Sequence, residues 1–338
     1  SSDLIFKNHH GVMMKFFRKI KHRKIPSNIH IFFIVIIFAC CVFIGIDLLV
    51  HTLAKSGFLH GIYIESIRIF FNVLIIGIFI TWILKWNQKK QLIQRYRDDI
   101  DDFRGWESEE ACHRIRGAIV RLNKLQVFDL DLSDCFLEKA YLENVNLYRA
   151  TLYKANLQRA NLFGANLRKA GLGEANCREA QLWYANLQKA GLWRTNLENA
   201  GLGQANLQMA YLREANLQEA RLADANLQIA YLQEANLKKA DLERAKLQKA
   251  GLWHADLQNA NLRDASLRDA HLHQANLEGA NLEGVKGLTY PQLQKAKNWE
   301  RARNIPEYVF ESKDDYEQYV LELGKVLSTS EHGSGKLQ

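Results

Sequence analysis

Few residues in this chain stand at spacings that chemistry needs. His271-Leu272-His273 is the one close histidine pair, and on an extended segment both imidazoles project outward to either side of an inward Leu272. No carboxylate arrangement nearby completes a zinc or hydrolytic set, so a surface pair is the better reading. The five cysteines are Cys40, Cys41, Cys112, Cys135 and Cys177, and none forms a metal spacing. Cys135 and Cys177 stand where neighbouring stretches place Ala and Leu, as small core hydrophobes; Cys40-Cys41 lie in an apolar run as packing or lipid-facing residues. There is no glycine loop able to cradle phosphate, no nucleophile elbow and no Ser/His/Asp arrangement. The residues therefore point to a chain that is not an enzyme and uses no cofactor or metal. Asp47, Arg68 and Asn72 remain, because polar groups in or near apolar runs often serve a membrane function, although each can also lie at an interface or between packed helices.

The element that positions most of these residues is a repeat. Of 31 positions spaced by five from 132 to 282, all are Leu except Cys177, and of the 29 positions two residues earlier, from 140 to 280, all are Ala except Val145 and Thr195. Leu157, Leu167, Cys177, Leu187, Leu197 and Leu207 belong to this series and form the expected structural core. On a helix, a period of five would carry Leu round every face, and a strand needs a period of two. A short extended piece followed by a corner fits, with Ala and Leu turned inward. The unit A-(N/G/Y/D)-L-x-x, as in Ala155-Asn156-Leu157-Gln158-Arg159, resembles the pentapeptide-repeat family over roughly half the chain. That resemblance implies an all-β solenoid, a right-handed quadrilateral β-helix with four pentapeptides per coil.

Four sides also follow from the residue before Leu, which alternates with period ten. Asn146, Asn156, Asn166 and their successors to Asn236 alternate with Thr151, Asn161, Gly171, Gln181 and others. With twenty residues per coil, Asn146, Asn166, Asn186, Asn206 and Asn226 stack in one column and Gln188, Gln208, Gln228 and Gln248 in another, an arrangement that stabilises stacked strands. About eight coils at about 4.8 Å each make a rod about 35 to 40 Å long.

The +8 net charge lies outside this repeat, since residues 127–288 carry 19 basic and 19 acidic side chains. Much of the excess is in an arm at 1–30, where seven basic residues face only Asp3. Apolar runs at 31–50 and 67–86 follow, each about the length of a membrane-spanning helix, and predict a transmembrane hairpin. The first run is too long for a signal-peptide core and lacks a small-x-small site. Basic flanks before the first run and after the second, against Lys55 alone in the connecting loop, put both ends and the repeat in the cytoplasm, at an inner membrane with anionic lipid at the flanks. Residues 87–106 read as a charged helical stalk. Residues 107–126 hold a capping helix with Ser108 as N-cap and Ala111, Ile115, Ala118, Ile119 and Leu122 on one face. Its Arg114, Arg116 and Arg121 read as a solvated outer face. The β-helix fills 127–288, a C-terminal helical cap 289–327, and a disordered tail 328–338.

The surface carries two further signals. Phe163 and Trp183 are expected to stack on one face; Trp193 and Trp253 share another, with Tyr211 and Tyr231 stacked near them. Such aromatics mark a partner site or rigidify the rod. The last position of each repeat forms belts, basic from Lys139 to Lys169, acidic from Glu214 to Glu234 and basic again from Lys239 to Lys249, a pattern suited to lateral association or to plain solubility. Three functions are in view. The first is a membrane-anchored scaffold presenting the rod to a protein partner or to its own copies. The second is a membrane effector whose hairpin oligomerises to permeabilise or signal, with the rod as sensor. The resemblance suggests the third, a DNA mimic that binds topoisomerase, but a neutral rod disfavours it, and no nucleic-acid partner is expected.

Overall fold

The structure, a computed structural model, describes residues 58–310 together with 316–317 and 320–321, and side chains from 65 onward. The chain divides into two compact units, 1–90 and 91–338. The arm, the first apolar run with Asp47, Cys40 and Cys41, and the tail 328–338 lie outside the described residues.

The repeat folds because each pentapeptide bonds to the coil on either side of it. Asn156 N donates to Cys135 O at 3.0 Å and Leu157 N to Asn176 O at 2.7 Å, so one residue reaches the preceding coil and the next residue reaches the following one. Parallel bridges join residues twenty apart, from Asp131–Thr151 to Ser266–Lys286, which places four pentapeptides in each coil. Ala160 N then closes a turn onto Leu157 O at 3.0 Å. The inward Leu and Ala side chains are buried along the whole length and form one core. Thr195, the one buried polar residue among those described, stands at an Ala position and satisfies its hydroxyl by donating to Leu172 O at 2.7 Å.

Each corner has a conformational cost. The residue before each Ala is left-handed, as in Lys154 (φ 56°), Arg159 (φ 57°) and Ile229 (φ 59°), a region that costs an L residue about 1–2 kcal/mol. Glycine fills it at Gly164, Gly279 and Gly284. Elsewhere burial of Leu, worth about 1.5–3 kcal/mol per side chain, offsets the strain. The Asn before Leu contributes twice: Asn156 Oδ1 accepts from Gln158 N at 3.1 Å, and Asn176 Nδ2 donates to it from the next coil at 3.4 Å. Asn166 to Asn146 (3.0 Å) and Gln188 to Gln208 (2.9 Å) continue these amide ladders, while Gln248 Oε1 is buried without a partner.

Helix α1 is Phe58–Asp102 and α2 is Glu109–Lys124. α1 corrects two expectations. It begins inside the stretch read as a connecting loop (51–66), at Phe58, and runs unbroken through the apolar run at 67–86 and, as expected of the stalk, on to Asp102; residues 51–57 lie outside the described residues. Its end is not a free stalk: in the second unit Ile93, Tyr96, Ile100 and Phe103 pack against the core, because their spacing of three and four residues puts them on one helical face. α1 is, among the described residues, the one helix long and apolar enough to cross a membrane.

α2 covers the first coil. Ser108 caps it, its hydroxyl accepting from Ala111 N at 3.1 Å, and Ala111, Cys112, Ile115, Ala118, Ile119 and Leu122 are buried. The open edge of the coil is satisfied by side chains. Arg104 donates to Ser133 O (2.5 Å) and Asp131 O (3.1 Å), Arg116 to Tyr141 O (2.8 Å), Cys112 Sγ to Glu138 O (3.5 Å), and Asn123 Oδ1 accepts from Asn146 N (2.6 Å). At the other end the stretch 290–303 is less helical than expected. Within 289–310 only Tyr290–Leu293 forms an α-turn, α3, followed by 3-10 turns at Trp299–Arg301 and Glu307–Val309, while the described residues 316–317 and 320–321 are helical. The intervening backbone extends the ladder, with Lys297 bridged to Asn276 and Arg303 to Asn281, and Gln292 Nε2 donates to Ala270 O at 2.9 Å. The amphipathic segment expected at 312–327 lies mostly outside the described residues.

Ile229 is β-branched and left-handed, the worst combination at any corner. Ile229→Asn is expected to raise stability by about 1 kcal/mol, read as a higher thermal midpoint, whereas Leu207→Ala is expected to cost about 2–5 kcal/mol.

Candidate interaction surfaces of the rod

Four flat faces carry the outward residues on either side of each core Leu. The first face, through ladder positions 131, 151 and onward to 271, holds more aromatic residues than any other; the second runs through 136, 156 and onward, and the third through 141, 161 and onward. Tyr153 and Trp193 stack at 6.2 Å across Gly173, whose missing side chain makes the room: a Cβ there would come within 2.3 Å of the Trp193 indole nitrogen. Tyr211 and Tyr231 stack at 5.0 Å and 2°, because they are neighbours in one parallel ladder. Trp253 meets His271 at 5.4 Å. Trp193 (40%), Tyr211 (52%), Tyr231 (41%) and Trp253 (43%) remain exposed, so these stacks leave substantial ring area on the surface.

The third face differs from expectation. Phe163 has its ring contact with Tyr184 (5.2 Å), a corner residue that the sequence pattern did not single out. Trp183 turns the other way, over Gly201 and Gly203, where added Cβ atoms would come within 2.3 and 2.0 Å of its indole. It is half-buried and fills space left by the glycines.

Most of the charged belts are consumed inside the rod. Arg159 pairs with Glu179 (2.7 Å), Arg194 with Glu214 (2.7 Å), Lys239 with Glu219 (3.2 Å) and Arg244 with Asp224 (2.9 Å), each partner twenty residues away. Those Arg contacts draw Glu179, Glu214 and Asp224 below the usual carboxylate range. As exposed pairs they contribute little to stability. Belts along the sequence thus become cross-coil ladders in space, which leaves these charges poorly available for lateral association.

The histidines stand beside one another without converging. His273 lies edge-on to His254 at 6.1 Å, and His271 and His273, with Trp253, Arg268 and Lys295, line a groove of about 800 Å³. Among the described residues no group of three His, Cys, Asp or Glu could hold a metal ion. Of the cap arginines, Arg114 and Arg121 are exposed, as expected of a solvated outer face, with Arg121 over Tyr96 (5.6 Å) and Arg114 over Phe103 (5.8 Å), while Arg116 is half-buried and donates to Tyr141 O. In α1, Arg68 contacts Glu65 at 3.2 Å and Asn72 is exposed, while Trp82 and Trp86 stack at 6.4 Å with Lys90 over the latter.

The family model for pentapeptide repeats matches residues 131–170, 175–213, 210–248 and 245–284, in eight copies. HetL of Nostoc sp. strain PCC 7120, a pentapeptide repeat protein involved in heterocyst differentiation regulation, is 33% identical over 48% of this chain and 76% of its own, with a TM-score of 0.32. The chain belongs to the pentapeptide repeat family. Rfr23 of Cyanothece 51142 is 38% identical over 27% of this chain, which spans 54% of Rfr23, with a TM-score of 0.12. A trypsin-treated form of QnrB1, a plasmid-mediated fluoroquinolone resistance protein, is 16% identical over 46% of this chain and 73% of its own, with a TM-score of 0.33. Among curated proteins none matches the chain significantly.

The pentapeptide repeat core also explains the cysteines. Cys135 replaces an inward Ala and Cys177 an inward Leu, and burial pushes both thiols up to about 12. In the native chain both are expected to resist alkylation near pH 8, where a free thiol of about 8.5 reacts readily; peptide mass mapping should find them modified only in denaturant. Because folding raises both values, the stability they confer is complete below about pH 8.5 and is lost as pH rises toward 12.

Proposed function

We propose that this protein is a membrane-anchored, non-catalytic scaffold whose rod presents a rigid aromatic face to a protein partner or to a second copy. The observation that carries the reading is the first face, where Trp193, Tyr211, Tyr231 and Trp253 keep exposed ring area on a backbone bonded coil to coil. Such side chains supply contact area at low entropic cost, and large aromatics dominate interface energetics. Two more observations support it. α1 has the length and composition of a membrane span, and its Trp82, Trp86 and Lys90 stand where an interfacial belt and a lipid-facing cation would be. The rod faces outward on all four sides, which suits display more than the enclosure of a small substrate. On this reading both termini and the rod are cytoplasmic. The effector alternative rests on Asp47, outside the described residues, and on Arg68 and Asn72 in α1; with Arg68 contacting Glu65 within one turn, it has the weaker support.

The anchor is tested by alkaline carbonate extraction of native membranes: retention in the pellet is expected, and release would overturn the anchoring. For the face, Trp193→Ala with Tyr211→Ala should weaken capture of the partner, or self-association, by roughly tenfold or more. Gly173→Ala, which displaces the Trp193 ring without removing it, should weaken capture by a smaller factor. Unchanged cross-linked species in all variants would move the interface elsewhere.

A further inference from the structure

The rod is neutral only in sum. Sorted by face, its charge is strongly one-sided. The fourth face, built by pentapeptides 145–149, 165–169 and so on to 285–289, carries eight basic side chains, among them Arg149, Arg168, Lys169, Lys189, Lys246 and Lys249, against the single acid Asp269. Each of the other three faces carries more acids than bases. Cross-coil pairing there uses up much of the charge, as with Arg159–Glu179 and Arg244–Asp224. On the fourth face all eight basic groups are exposed, and within the described residues none forms an ion pair. Between the two basic clusters lie the half-buried Met209 and Ile229, flanked by the Asn and Gln side chains of the amide ladders.

We propose that this face docks flat on an anionic phospholipid leaflet. Two clusters of unpaired cations on a flat parallel ladder, with neighbouring coils within each cluster about 4.8 Å apart, complement a surface of uniform negative charge. The chain supplies the reason such a surface is near: α1 is long and apolar enough to hold it at a bilayer, which makes the leaflet the anion at highest local concentration. Single-stranded nucleic acid fits less well, because it binds to stacking platforms and this face has Tyr148 as its only aromatic residue. A protein partner fits less well too, since the exposed rings that anchor interfaces lie on the first and third faces. Docking this way leaves the second face pointing from the membrane and the aromatic faces open at the sides.

The inference rests on the membrane-anchored reading, and the test separates the two. Full-length protein is reconstituted in phosphatidylcholine vesicles with or without about one third phosphatidylglycerol, and lysines are mapped by brief acylation and peptide mass spectrometry. Lys169, Lys189, Lys246 and Lys249 should react roughly tenfold or more slowly on anionic vesicles than on neutral ones, and the difference should vanish at about 0.5 M salt. Lys139 and Lys239, equally exposed on the second face, should react alike on both. Equal rates for all lysines, with the chain still retained on carbonate extraction, would overturn docking and leave the anchor standing; release of the chain would overturn both. Protection on neutral vesicles that grows with protein concentration, or that added RNA produces, would give the face to a second copy or to nucleic acid and overturn the proposal.

Discussion

Each coil of the rod depends on its neighbours for hydrogen bonds. A two-residue strand cannot pair with itself; Asn156 bonds back to Cys135 and Leu157 forward to Asn176, so a coil with one neighbour missing exposes a row of peptide groups. The constraint dictates the ends of the solenoid. At the first coil, Arg104, Arg116, Cys112 and Asn123 act as substitutes for a missing coil, delivering donors or an acceptor where backbone would otherwise stand. At the last, Lys297 and Arg303 continue the ladder while Asn298 and Asn304 extend the amide columns onto Asn276 and Asn281 (2.9 and 2.8 Å). The two caps solve one problem by different means, a helix laid across the coil and an irregular coil that imitates its predecessor.

The same constraint explains what could be read from sequence. Leu, Ala and the alternating Asn were legible because each occupies one environment in every coil, so a five-residue count recovers the core and a ten-residue count the four sides. The corners were not, since Lys, Arg, Glu and even Ile229 adopt the left-handed conformation there without glycine to announce it. The end of α1 was hidden by Asp98, Asp99, Asp101 and Asp102, whose charges suggested a stalk although Ile93, Tyr96, Ile100 and Phe103 sit one turn apart beneath them. The C-terminal ladder was missed because its spacing lengthens from 20 residues to 21 and 22, as in Asn276–Lys297 and Asn281–Arg303, which no fixed period finds.

Surface signals needed the three-dimensional register most. Read along the chain, charges form belts; folded at twenty, they separate into paired ladders on three faces and an unpaired basic fourth. Aromatic residues behave likewise. Trp183 and Trp193 occupy equivalent positions two repeats apart, yet one covers Gly201 and Gly203 and becomes packing, while the other leans over Gly173 and keeps an exposed ring. The glycine pattern of the neighbouring coil, more than the tryptophan itself, separates a stiffening contact from a candidate anchor.

A scaffold of this kind has little freedom to respond to a ligand by closing around it. Each side chain on a face is held by a backbone bonded above and below, and the core of buried Leu leaves no hinge within the coils. Specificity must then come from a fixed arrangement of faces: rings on the first, paired charges on the second and third, unpaired cations on the fourth. Rigidity also couples the faces, because an anion surface that fixes the fourth face sets the direction in which the first looks. A partner that reads the aromatic face would therefore meet the rod in one orientation when the fourth face is docked and in many when it is free, so lipid composition would alter the entropy of partner binding without touching the partner's contacts.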